Sequence, residues 1–140
     1  MATHCQITFD AADPHRLARF WAEALHYRKE DHSALVGQLL AAGHLRADEV
    51  IEDEGGQAFR DVAACSDPEN QGPRLFFQRV PEPKSAKNRV HLDLHVGRDQ
   101  AQAEMQRLIG LGATYLWTST DRGGPCYTLR DPEGDEFCVE

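Results

Sequence analysis

The sequence lacks the features that mark several common classes of protein. Its 140 residues carry 15 Lys and Arg against 23 Asp and Glu, a formal net charge of −8, so a basic surface for nucleic acid is not expected. No apolar run approaches the length of a membrane span. The first ten residues lack the basic and apolar segments of a secretory signal. We therefore expect a cytoplasmic protein that binds neither nucleic acid nor membranes.

The spacing of the cysteines also excludes a common metal motif. The 4 cysteines, Cys5, Cys65, Cys126 and Cys138, include no Cys-x-x-Cys pair, so a structural zinc knuckle is not expected. In a cytoplasm they stay reduced. The rest of the composition, 41% hydrophobic and 27% charged, is that of an ordinary globular chain. A chain of this length buries enough surface to fold without a disulfide or a metal.

The first half of the chain predicts a strand and a helix, followed by further elements. Ile7 and Phe9 alternate with polar residues, the period of a half-buried strand over residues 4–10. Asp13 and Pro14 are typical of a helix N-cap and first position, and apolar residues recur behind them at helical spacing. We further expect strands over 27–30, 57–65 and 73–80, a helix over 33–43 with Leu35, Leu39 and Leu40 on one face, and an acidic solvated loop over 48–54.

The second half repeats this order after a proline-containing linker at 81–88. Residues 89–96 alternate strictly and predict a strand whose polar face carries His91, Asp93 and His95. Asp99 is the expected N-cap of a helix that ends at Gly112. Three strands follow over 113–120, 126–130 and 135–140, joined by turns at 121–124 and 131–134.

This repetition indicates an α+β fold built from two βαβββ modules. We expect one domain over 1–140, with module one at 1–83, the linker at 81–88 and module two at 89–140. A sheet covered by helices on one side buries its apolar face beneath them, so its polar residues point to the other side. If the two sheets curve toward each other, those polar faces line one cleft, the usual setting of a ligand site.

Three segments resemble the vicinal oxygen chelate superfamily, also called glyoxalase/bleomycin-resistance/dioxygenase proteins. They are residues 6–14 running into Phe20-Trp21, residues 88–94, and the turn and strand at 131–138. The resemblance lies closest to small bacterial glyoxalase-like domains. It implies paired βαβββ modules forming a cup-shaped curved sheet with the helices outside, a divalent metal such as zinc, nickel or iron in the cup, and a homodimer.

Carried over by position, the resemblance assigns the metal places to specific residues. Gln6 falls on the first ligand place and His91 on the third. Cys138 falls on the fourth, where the family usually has Glu. Gln78 is the one plausible neutral ligand for the second place. Two amides, an imidazole and a thiol are a weak donor set. The resemblance therefore implies either a degenerate metal site, with His91 and Gln6 as the surviving ligands, or no metal at all.

The function we expect is capture of a small organic molecule in the cleft, as bleomycin-resistance-type binders achieve without metal. The expected contacts are Gln6, Gln78, His91, Asp93, Trp117 and Cys138. The alternative is a metal-dependent lyase or isomerase of the glyoxalase type, with Asp93 or Glu136 as the base. A purely structural dimer module is a third possibility.

Individual residues also keep two interpretations. His91 is either a contact to the ligand or metal or an idle hydrogen-bonded histidine of the cleft wall. Cys138 is either a functional group or a small buried thiol. Trp117 and Tyr115, expected on one face of their strand, form either an aromatic wall or packing.

Overall fold

The computed structural model describes residues 1–121 and 123–140, which form an α+β fold with two compact units, Met1–Pro81 and Glu82–Glu140. Arg122, in the turn expected at 121–124, lies outside the described residues. Among the described residues, the helices are all too short or too polar to cross a membrane.

The first unit contains a four-stranded sheet, a two-stranded hairpin and two α-helices. In chain order its elements are β1 (Ile7–Ala11), α1 (Pro14–Leu25), β2 (Arg28–Lys29), α2 (Ser33–Ala41), a 3-10 helix (Ala47–Glu49), β3 (Val50–Asp53), β4 (Gly56–Phe59), β5 (Val62–Ser66) and β6 (Leu75–Arg79). The main sheet has the order β1-β6-β5-β2, with β1 parallel to β6 and the other neighbours antiparallel. The hairpin β3-β4 is inserted between β2 and β5.

Helix α1 covers the apolar face of this sheet, as its sequence predicts. The Asp13 side chain accepts a hydrogen bond from the Arg16 backbone N–H at 3.0 Å, and Pro14 begins the helix. Trp21 is buried on the inner face of α1, and its ring lies 5.5 Å from that of Phe9. The Phe9 ring stacks in turn on Phe77 at 5.2 Å. This apolar layer fixes the opposite faces of β1 and β6 as the polar ones.

Three expectations for the first unit are wrong in detail. The acidic segment 48–54 is not a solvated loop, because it includes β3, and the side chain of Asp53 pairs with Lys29 and Arg19. The expected strand over 57–65 is two strands, β4 and β5, interrupted at 60–61. In α2 the buried residue is Val36, whereas Leu35 is 47% exposed, so the apolar face lies one position away from the predicted one.

The described residues of the second unit have the same connectivity, without the α2, 3-10 helix and hairpin that are inserted between β2 and β5 of the first unit. Its elements are β7 (Asp93–Leu94), α3 (Arg98–Leu111), β8 (Thr114–Ser119), β9 (Cys126–Arg130) and β10 (Glu136–Val139). The strand order is β7-β10-β9-β8, with β7 parallel to β10 and the others antiparallel. This is the order of the first unit's main sheet, so both units have the βαβββ arrangement.

Two boundaries in the second unit differ from expectation. Paired strand is confined to Asp93–Leu94 rather than 89–96, although the carbonyl of Leu92 also accepts from the Cys138 N–H at 2.9 Å. The N-cap of α3 is Gly97 at φ 90°, not Asp99, because the chain turns there through a conformation that glycine adopts without strain. Gly112, at φ 119°, ends the helix as predicted.

The duplication extends to the turn before the last strand of each unit. Residues 67–70 read Asp-Pro-Glu-Asn, and residues 131–134 read Asp-Pro-Glu-Gly. In each turn the aspartate accepts the N–H of the glutamate two residues on, at 2.9 Å, and the fourth residue has a positive φ. The same side-chain bond therefore shapes both turns.

Candidate functional site

Strand register places four side chains in one row across the sheet of the second unit. Asp93 is paired with Cys138, Cys138 with Thr128, and Thr128 with Trp117. Directly paired residues on neighbouring strands point to the same face. The buried Leu94, Leu129 and Val139 alternate with this row and take the opposite face. The row therefore lies on the polar face of the sheet.

A cavity of about 190 Å³ lies over this row. His91, two residues before Asp93, also contributes to its wall. Among the residues lining it are His91, Asp93, Trp117, Cys126, Thr128 and Cys138. Of the predicted contacts, His91, Asp93, Trp117 and Cys138 are thus brought together within the second unit.

His91, Asp93 and Cys138 form the chemically richest part of this wall. One ligand atom from each lies within 4.8 Å of the other two. His91 Nδ1 is 3.0 Å from Asp93 Oδ1, and the two side chains are 38% and 31% exposed. Because an ionised carboxylate only accepts hydrogen bonds, Nδ1 carries the proton in this pair and Nε2 keeps its lone pair in the neutral ring.

One further thiol and a hydroxyl lie beside this cluster. Thr128 Oγ1 is 3.5 Å from Cys138 Sγ. Burial, followed by the neighbouring Cys138, Glu140 and Asp93, raises the pKa of Cys126 to about 11. Cys126 is therefore a protonated thiol at neutral pH and a poor nucleophile without further activation.

Trp117 faces the cavity, but Tyr115 does not share its face. The register of β8 shifts between these two residues, so Tyr115 is paired with Leu129 and Trp117 with Thr128. Consecutive residues 128 and 129 point to opposite faces of the sheet. The expectation that Tyr115 and Trp117 form one aromatic wall is therefore wrong, because a β-bulge separates them.

Glu136, one of the two bases considered for an enzyme, already has partners. Its carboxylate accepts the Asn88 backbone N–H at 2.9 Å and pairs with Lys84 at 3.2 Å. Partial burial raises the pKa of Glu136, but these two contacts outweigh it and hold the pKa below its usual value. Glu136 is therefore an ionised structural partner, which makes it a less available base than Asp93.

Gln6 and Gln78 lie in the first unit, where both are hydrogen-bonded. Gln6 Oε1 accepts from an Arg74 guanidinium N–H at 2.7 Å, and Gln78 Nε2 donates to Asp10 Oδ1 at 2.8 Å. Asp10 and Gln78 are directly paired across β1 and β6. Their joint use with His91 and Cys138 stays a prediction.

The first unit also contains an ion-pair network, next to Gln6, that was not predicted from the sequence. Glu30 accepts two bonds from Arg74 at 2.7 Å, one from His32 Nε2 at 2.9 Å and one from the Ser66 hydroxyl. The Arg74 hydrogen bonds, acting against partial burial and helped by Ser66 and His32, lower the pKa of Glu30 to about 2. It also missed Thr128, whose alternation with the apolar Leu129 is the signal that could have found it.

Comparison with known proteins places this geometry in a family. The sequence profile of the glyoxalase-like domain matches residues 6–140. No curated protein sequence matches the chain.

Solved structures with the same fold cover nearly the whole chain. The fosfomycin resistance protein FosX from Mesorhizobium loti is 11% identical, with a TM-score of 0.65 over 100% of this chain and 91% of its own. A mutant FosX from Listeria monocytogenes, complexed with Mn(II) and 1S,2S-dihydroxypropylphosphonic acid, is 10% identical, with a TM-score of 0.63 over 100% and 90%.

A third similar structure is a glyoxalase/bleomycin resistance protein/dioxygenase family enzyme from Burkholderia phytofirmans. It is 11% identical, with a TM-score of 0.63 over 96% of this chain and 94% of its own. At these identities the structures establish the fold, and the matched profile establishes the family. The chain belongs to the glyoxalase-like domain family of the vicinal oxygen chelate superfamily.

Proposed function

We propose that this protein binds a small organic molecule against the polar face of the second unit, without needing the metal site of the family. The observation that carries this proposal is the row Asp93–Cys138–Thr128–Trp117, with His91 beside it, along one cavity. An aromatic ring flanked by a few hydrogen-bonding groups is a common composition for a small-molecule site.

The chemistry of the wall indicates the class of ligand. A cavity of about 190 Å³ suits a small molecule or one ring of a larger one. The indole of Trp117 offers a face for an aromatic or cationic group. The Asp93 carboxylate and the His91 ring offer an acceptor and a group that donates or accepts. Gln6 and Gln78 complete the proposed set of polar contacts.

The experiment is a thermal-shift screen of the whole chain against small aromatic and cationic compounds, with chelator present, followed by calorimetry on the hits. We expect a raised melting temperature with at least one such class, and loss of that shift in Trp117→Ala. Tyr115→Ala is the matched control, since this neighbouring aromatic residue points to the other face. A hit that both variants bind equally well would contradict the proposed site.

A metal-dependent lyase or isomerase of the glyoxalase type is the second candidate. The cluster of His91, Asp93 and Cys138 favours it, because imidazole, carboxylate and thiolate all ligate zinc and similar ions. A bound ion would polarise a carbonyl or hydroxyl oxygen of the substrate. Turnover that disappears with chelator and returns with Zn²⁺, Ni²⁺ or Fe²⁺ would favour this function over binding alone.

We also propose a cytoplasmic homodimer, as family membership suggests. Sedimentation of the chain at micromolar concentration should give twice the 15.7 kDa of one copy. A single species at the monomer mass would contradict this.

A further inference from the structure

We infer that Arg60 and Arg79 form a binding site for the phosphate group of a small molecule, at one end of the main sheet of the first unit. An open cavity of about 650 Å³ lies beside these two residues. The described residues that line it all belong to this unit, namely Ala12, Arg60, Asp61, Arg79, Val80 and Pro81. The inference goes beyond the ligand site proposed for the second unit and does not depend on it, because no residue is shared.

Strand alternation separates Arg79 from the polar face of this sheet. Phe77 is buried on the face that α1 covers, and Gln78 points to the opposite, polar face. Arg79, two residues after Phe77 and last in β6, therefore projects to the side of the helix. The cavity thus lies at a different place from the row of polar side chains that characterises the second unit.

Hydrogen-bonded backbone fixes where both arginine side chains begin. The Arg79 N–H donates to the carbonyl of Asp61 at 2.7 Å, which joins the end of β6 to the segment between β4 and β5. The Arg60 N–H, in that segment, donates to the carbonyl of Glu49 at 2.8 Å. The two guanidinium groups therefore approach the cavity from separate but connected parts of the chain.

The two guanidinium groups share one carboxylate without close contact to it. Asp61 Oδ1 lies 3.7 Å from Arg60 Nε and 3.7 Å from Arg79 Nη1, and both distances exceed that of a hydrogen bond. Arg60 Nε is nevertheless shielded from solvent, and it has no hydrogen-bond partner within the part of the chain that the structure describes. Because a shielded donor without a partner costs free energy, an acceptor that reaches it is favoured.

This arrangement favours a phosphate over a carboxylate as the bound group. One carboxylate oxygen, Asp61 Oδ1, stays 3.7 Å from both guanidinium groups and satisfies neither of them. A phosphate presents several oxygens in different directions and a larger negative charge, and guanidinium groups bind such oxygens in pairs. Asp61 is 58% exposed, so its side chain can turn toward solvent when an anion enters. Val80 and Pro81 line the remaining space, which suits the organic part of a small phosphate compound.

Titration of the isotope-labelled full-length protein with inorganic phosphate, at constant pH and salt concentration, tests this site. We expect a saturable shift of the Arg60 Nε–H signal in the nuclear magnetic resonance spectrum, and Arg60→Lys identifies that signal by removing it. Arg79→Gln should weaken phosphate binding about 5-fold, the upper range for an exposed ion pair. Asp61→Asn should tighten binding about 5-fold, because the competing carboxylate is gone. Acetate, titrated separately, should bind less tightly than phosphate.

Two variants make the same changes of charge elsewhere in the first unit. Arg46 and Asp48 pair at 3.0 Å and are 74% and 64% exposed. Arg46→Gln and Asp48→Asn should bind phosphate like the wild type, and unchanged circular dichroism should verify that every variant is folded.

Four outcomes would overturn the inference. They are an Arg60 Nε–H signal that does not respond to phosphate, weaker binding by Asp61→Asn, control variants that change the affinity as much as the site variants do, and acetate that binds as tightly as phosphate. The second outcome would mean that Asp61 holds the two arginines in place rather than competing with an anion. The third would mean that the net charge of the chain, rather than this site, attracts phosphate.

Discussion

The two units share a strand order and a turn, yet their polar sheet faces have different chemistry. In the first unit, Arg74 is held by two bonds of 2.7 Å to Glu30 and one of 2.7 Å to Gln6. In the second unit, His91 and Asp93 pair at 3.0 Å on a partly exposed surface that lines a cavity. On the polar face of the first unit, the charged groups pair with one another. On that of the second unit, a ring nitrogen of His91 and the thiol of Cys138 can contact a ligand.

This difference separates what the duplicated fold fixes from what it leaves free. In both units one helix covers the apolar face of a four-stranded sheet. Because that face is buried, the polar residues lie on the opposite face. The residues on that polar face do not pack in the core, so their types differ between the units. The first unit has an ion-pair network there, and the second unit has the candidate ligand site. Function therefore follows the side chains of one unit rather than the shared topology.

The largest expected effect on stability concerns the inserted hairpin β3-β4. Among the described residues, only the first unit has this hairpin. Asp53 and Lys29 are 12% and 14% exposed, and Arg19 Nη1 lies 2.7 Å from the same carboxylate. Asp53→Asn leaves Lys29 with a weakened partner in a partly dry site. We expect it to lower the free energy of unfolding by about 3 kcal/mol, measured by urea denaturation.

Glu54→Gln is the matched control for Asp53. Glu54 also faces Lys29, at 3.4 Å, but it is 56% exposed. An exposed pair contributes less than about 1 kcal/mol. Equal losses in the two variants would mean that the burial of Asp53 does not set the strength of the pair.

The next effect is the acid sensitivity of the first unit's network. The pKa of Glu30 lies at about 2 in the folded protein against 4.5 as the ordinary value. Stability from this carboxylate is therefore complete above pH 4.5, declines as the pH falls and is gone below about 2. Allowing for solvent screening, the loss should be about 2 kcal/mol.

Urea denaturation at pH 6 and at pH 2.5 measures this loss. Glu30→Gln should be less stable than the wild type at pH 6, and the two should converge at low pH. A constant difference between them across this range would show that the charge of Glu30 is not what stabilises the network.

A smaller effect comes from the paired turns. Asp131 is 3% exposed and accepts the N–H groups of Glu133 and Asp135. Asp67 accepts N–H groups in the equivalent turn, but closer to solvent. Asp131→Ala should cost about 2 kcal/mol and Asp67→Ala about 1 kcal/mol, because water replaces the lost acceptor more readily at Asp67. Thermal unfolding compares them, and a larger loss at Asp67 would reverse the argument.

Much of the fold was predictable because its signals are local. The caps at Asp13-Pro14 and Gly112 each mark one end of a helix, and the alternation of Ile7 and Phe9 with polar residues marks the first strand. The hairpin at 50–59 was not predictable in this way. Its charged residues are typical of a solvated loop, and their partners Lys29 and Arg19 lie in other elements of the chain. The Gly97 cap was missed because Asp99, a common capping residue, lies only two positions away.

The candidate site was predictable to a similar extent. The alternation of residues 89–96 placed His91 and Asp93 on the polar face of their strand. The family resemblance assigned Cys138 to a ligand position. Strand register then brought in Thr128 as the neighbour of Cys138, which no single-strand pattern specifies. The bulge that turns Tyr115 away from Trp117 depends on pairing between β8 and β9, and it leaves no mark in the alternation of either strand.

The smallest effects concern ligand affinity, and they compare the two polar faces directly. For a compound found in the thermal-shift screen, His91→Ala should weaken binding about 10-fold, or about 1.4 kcal/mol. Gln78→Ala should weaken it only about 2-fold, or about 0.4 kcal/mol, because the Gln78 amide already bonds to Asp10 at 2.8 Å and has less capacity for a new partner. Calorimetry at one pH and one salt concentration gives both ratios. If Gln78→Ala costs as much as His91→Ala, the polar face of the first unit contributes equally to recognition, and the division of roles between the two units fails.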